Sequence, residues 1–78
     1  MISNEEIIEA VEKAIAHAEQ IGDNWADMVD IALGEIGVEV DEKASRAADT
    51  NGYGPICVLT DGREIWQAED TKEITIES

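Results

Sequence analysis

Nineteen aspartates and glutamates stand against five lysines and arginines in this 78-residue chain, so its net charge is 5 − 19 = −14. An ionised carboxylate is not buried without a partner, and five bases cannot pair nineteen acids. Any fold must therefore spread most of the acids over its surface and build a core from what remains. Enough remains: 44 % of the residues are hydrophobic, too many for a disordered acidic tail. Residues 23–37 hold four acids and no base, and no segment concentrates the charge as a tail would. We read residues 1–78 as a single compact acidic domain, thin in the core because a chain this short buries only roughly 60 % of its unfolded surface.

The charge also limits the partners. Nucleic acid and anionic lipid are repelled, so direct binding to either is not expected. No apolar run approaches the ~20 residues of a membrane span. Met1 to Glu12 is acidic, where a signal peptide begins basic. The expectation is a cytoplasmic protein with no membrane partner. One Cys and one His leave neither a disulfide framework nor a Cys/His metal cluster.

Two helices are signalled first. Ser3, with Glu6 three residues on, has capping-box spacing. Ile7, Ile8, Val11, Ala14, Ile15, Ala18 and Ile21 then recur with helical period, and Gly22 is the stop. Asp23 or Asn24 can cap a second helix whose apolar face is Trp25, Met28, Val29, Ala32, Leu33 and Ile36, ended by Gly37. Val38 and Val40 suggest a short strand, and residues 41–49 a short third helix capped by Asp41. From Ile56 the pattern is β. Asp61-Gly62 predicts a two-residue hairpin loop that would set Val58 against Ile65 and Cys57 against Trp66, with Trp66 largely buried. Glu73 to Glu77 alternates as a third strand. The expected fold class is α+β: two N-terminal helices packed on a C-terminal three-stranded antiparallel sheet, with a short third helix between.

No chemistry is marked out. His17 has no nucleophile or second His at usable spacing, Cys57 sits among apolar neighbours, and Gly52 and Gly54 precede a strand rather than open a helix, unlike a phosphate loop. Asp49, Asn51, Gly54 and Ile56 fit four positions of a calcium loop. Tyr53 and Thr60, however, stand where further ligands are required, and an Asn-Gly turn accounts for the stretch. We expect no enzyme activity, cofactor or metal.

The candidate functional residues are therefore those that display charge. At 100° per residue, Glu5, Glu9, Glu12 and Glu19 fall within about 80° of one another on the first helix, beside its apolar face. Asp27 and Asp30 lie on the polar side of the second. Carboxylates fixed on a helix can imitate the charge of a phosphate backbone and occupy a basic groove built for nucleic acid. Ile31 is apolar among polar neighbours and is a candidate contact. The hairpin is apolar on both faces, so one face should meet the third helix, a partner or a second copy in a homodimer. Acid excess also keeps proteins hydrated in saline cytoplasm, which is the alternative account of the charge.

An acyl carrier protein shares the length and acidity, but Ser3, Ser45 and Ser78 do not lie in its Asp-Ser-Leu setting. With −14 overall, the Glu5, Glu9, Glu12, Glu19 stripe and the Asp27, Asp30 pair, the profile resembles small acidic inhibitors of phages and mobile elements, such as anti-CRISPR and DNA-mimic anti-restriction proteins. The resemblance covers the whole chain but rests on no diagnostic motif. It implies a protein partner with a basic nucleic-acid-binding groove. The competing reading is a non-inhibitory interaction module or dimeric structural domain that uses an apolar sheet face.

Overall fold

Ser3 starts the first helix as expected: its side chain accepts the Glu6 N–H at 3.2 Å in the computed structural model, which describes residues 2–48 and 54–78. The described residues form α1 (Asn4–Ile21), α2 (Trp25–Glu35), α3 (Glu42–Ala48), β1 (Cys57–Val58), β2 (Glu64–Gln67) and β3 (Ile74–Glu77). This is an α+β chain, helices first and an antiparallel sheet after. Its contacts define two compact units, Met1–Val38 and Glu39–Ser78.

In the first unit α1 packs on α2. Both helices end with a left-handed glycine. Gly22 has φ 72, and the next amide, of Asp23, returns to the Ala18 carbonyl at 3.0 Å. Gly37 has φ 81, and the Val38 amide returns to Leu33 at 2.9 Å. These closures satisfy helix carbonyls that would otherwise lack donors. Asn24 caps α2 by accepting from Ala26 N–H at 3.0 Å. The pair buries Ile7, Val11, Ala14 and Ala18 of α1 with Val29 and Leu33 of α2. Ile21 and Trp25, counted on the apolar faces by period, are instead 54 % and 40 % exposed. They flank the interhelical turn, where the apolar stripes run on past the buried stretch.

In the second unit the strand order is β1-β2-β3, antiparallel throughout. The hairpin register differs by one residue from the expected one. Cys57 pairs with Ile65 and Val58 with Glu64. The loop has three residues, Thr60 to Gly62: the Leu59 carbonyl accepts from Gly62 N–H at 3.0 Å and Leu59 N–H donates to Arg63 at 2.8 Å. Gly62, with φ 95, supplies the left-handed third residue of such a loop. Asp61 fixes it, accepting from the Arg63 amide at 3.0 Å and from Arg63 Nε at 2.8 Å.

A one-residue slip turns every side chain to the other face. Cys57 and Ile65 therefore share a face and are buried. Trp66 shares the other face with Val58, Glu64, Thr75 and Glu77 instead of facing Cys57; most of its surface is covered, as expected, and its indole N–H donates to Glu64 Oε1 at 3.2 Å. On β3, Ile74 is buried, Ile76 half-buried, and Thr75 and Glu77 exposed, as the alternation predicts. Glu77 stands opposite Glu64, and β3 is an outer strand.

The strand expected at Val38 and Val40 reduces to one bridge, Val40 to Leu59. Val38 N–H is committed to closing α2, and Asp41 already caps α3 by accepting from Ala44 N–H at 3.0 Å, so little chain is left to pair. The third helix lies on β1, on the strand whose two apolar faces the sequence left to be covered. The calcium-loop positions Asp49, Asn51 and Tyr53 lie outside the described residues.

Candidate functional site

The first unit carries two surfaces of interest. One is the acidic stripe. Glu5, Glu12 and Glu19 recur every seven residues on α1, so they stay on one side of it with a drift of about 20° per step. All three are exposed, and none has a cation within ion-pair distance among the described residues. The caps at Ser3 and Gly22 fix both ends of the helix that holds them. Glu9 is exposed too, but Lys13 Nζ lies 2.9 Å from its carboxylate. This hydrogen-bonded cation holds the Glu9 pKa below its ordinary value. The stripe thus presents three unpaired carboxylates and one paired one. Asp27 and Asp30 are exposed on α2, and Ile31 is 60 % exposed.

The second surface is a groove of about 470 Å³ between α1 and α2. Its α1 wall is Glu6, Glu9, Ala10, Lys13, Ala14 and His17. Its α2 wall is Met28, Ile31, Ala32, Glu35 and Ile36. The cause is local: Ala10, Ala14 and Ala32 are too short to fill the space between two helix backbones. Of the seven residues singled out from sequence, the groove gathers Glu9 and Ile31. It does not gather Glu5, Glu12, Glu19, Asp27 or Asp30. Glu6, Lys13, His17, Met28 and Glu35 were missed. The signal that would have found the groove is the alanine content of both helices where they face each other.

No group of three His, Cys, Asp or Glu is placed to hold a metal among the described residues. Cys57 is buried and in no disulfide among the described residues, and His17 is an exposed imidazole. No described helix is long and apolar enough to cross a membrane. Neither surface holds a nucleophile beside a base; what they offer is charge display and shape. Compared with known protein families, curated proteins and solved structures, the chain has no match.

Proposed function

We propose that this protein binds a nucleic-acid-handling host protein and inhibits it, as anti-CRISPR and other anti-defence proteins do, by laying its carboxylate-rich helix faces in a basic groove. One observation carries the reading. Glu5, Glu12 and Glu19 form an exposed, unpaired row on one capped helix, spanning roughly 21 Å at ~1.5 Å per residue, on a chain of net charge −14. Such a row offers a cationic groove the kind of charge it was built to receive, without a flexible tail that must be ordered first. Asp27 and Asp30 add exposed carboxylates on α2.

Affinity capture from the native host, read by mass spectrometry, supplies the candidate targets, and competition decides among them. A target held by this protein should lose its nucleic acid, and excess nucleic acid should displace the protein. Changing Glu5, Glu12 and Glu19 together to Gln keeps side-chain length and comparable helix propensity. At up to ~1 kcal/mol per surface charge, binding should weaken roughly ten- to a hundredfold, mainly through slower association and with a shallower salt dependence. A target that takes up nucleic acid with unaltered affinity while bound would end this reading.

A further inference from the structure

We infer that the groove between α1 and α2 is a docking site for a basic, amphipathic helical segment of a protein partner. The inference does not rest on the unpaired row Glu5, Glu12 and Glu19, none of which lines the groove, and it adds apolar burial to charge. The groove floor is apolar: Ala10 and Ala14 on one side, Met28 and Ala32 on the other. Its volume of about 470 Å³ is that of a binding cleft rather than a packing defect. Met28 is unbranched and adapts its shape to whatever lies on it. At the rim Ile31 is 60 % exposed, a large aliphatic side chain left mostly uncovered by the described residues.

Charge selects the occupant. Glu6 stands on the α1 wall and Glu35 on the α2 wall, both exposed and neither with a cation in ion-pair range among the described residues. Lys13, the lysine of the rim, is already paired with Glu9. An apolar segment flanked by Lys or Arg would therefore set its apolar side on Met28, Ala32 and Ile31 and its cations against Glu6 and Glu35. A second copy of the chain is a poor occupant, since it would bring −14 against −14.

The test uses the full chain and a synthetic ~18-residue Leu/Lys peptide, Leu on one helical face and Lys on the other. Amide shifts followed by NMR should cluster at Ala10, Ala14, Met28, Ala32 and Glu35. A Ser/Lys peptide of equal charge should bind at least about tenfold more weakly, because the apolar face is gone. Ile31→Glu, at an exposed position that does not threaten the fold, and Glu35→Lys should each weaken the Leu/Lys peptide by about tenfold. The Glu5, Glu12, Glu19 to Gln variant should change it less than about threefold, since those residues lie outside the groove. Failure of the proposed inhibition would leave these results untouched. Equal binding of the two peptides, or shifts centred on the stripe or on the sheet, would overturn the inference. So would a dimer in sedimentation that Ile31→Glu dissolves, since the groove would then belong to a second copy.

Discussion

Ser45 serves both backbone polar groups of Val58. Its Oγ accepts the Val58 N–H at 2.8 Å and donates to the Val58 carbonyl at 3.3 Å. One hydroxyl does for this end of β1 what a neighbouring strand would do, and the Asp41 N–H adds a second donor to the same carbonyl at 2.8 Å. α3 is thus tied to the sheet by hydrogen bonds as well as by packing.

Ser45→Ala should accordingly cost about 1–3 kcal/mol, the penalty for leaving a part-buried amide without its partner. Denaturant melts measure the loss, and hydrogen exchange localises it, with the Val58 amide exchanging faster. Val58 exchange unchanged from the parent would show that the amide finds another acceptor.

The hairpin register is tested by a pair of truncations. Ile65 is fully buried and lies opposite Cys57, so Ile65→Ala should cost about 2–5 kcal/mol. Trp66 is half-buried on the other face, so Trp66→Ala should cost less than Ile65→Ala despite the larger side chain removed. The reverse order would restore the two-residue loop, in which Trp66 faces Cys57.

Helix boundaries were legible because each rests on a residue with a local mechanism: Ser3 and Asn24 as acceptors, Gly22 and Gly37 as left-handed stops. The register was not, because Asp-Gly suits two loops. Gly62 adopts positive φ in either, and the three-residue loop comes with bonds from Arg63 to Asp61, contacts between side chain and loop that period-two counting does not contain. Ile21 and Trp25 were misplaced for a related reason: periodicity says which side of a helix is apolar, not how far along it the covering extends. The acidic stripe follows from one helix alone and was readable. The groove depends on alanines of two helices meeting, which no single helix reveals.

Asp61 should show the Arg63 contact in its titration. Hydrogen bonds from the Arg63 side chain and then its amide hold the Asp61 carboxyl below its ordinary value of 3.8. A lowered folded-state pKa stabilises the fold above the unfolded value, and this contribution is lost as the pH falls through the lowered one. Followed by NMR, the midpoint should return toward 3.8 in Arg63→Gln. An unmoved midpoint would mean that the carboxylate owes nothing to the guanidinium.

Salt should stabilise the whole chain. Self-repulsion of fourteen net charges disfavours the compact state, and raising salt from about 20 mM to about 500 mM shortens the Debye length well below the dimensions of the molecule. The melting temperature should rise over this range. The two described ion pairs, Glu9 with Lys13 and Asp61 with Arg63, are weakened by the same screening but are local and few. A melting temperature that falls with salt would give those pairs the larger role.

The facing pair Glu64 and Glu77 has a consequence for assembly. β3 is an outer strand, and its exposed side chains are Thr75 and Glu77, with Glu73 just before it. An outer strand is a template on which another chain can crystallise its own backbone into a fibre. At neutral pH any such addition stacks carboxylate on carboxylate, at a point where two already oppose each other. Acid removes that guard. Concentrated at low pH, this chain should polymerise along β3, so that the charge that costs it stability near neutrality is also what keeps it from becoming amyloid.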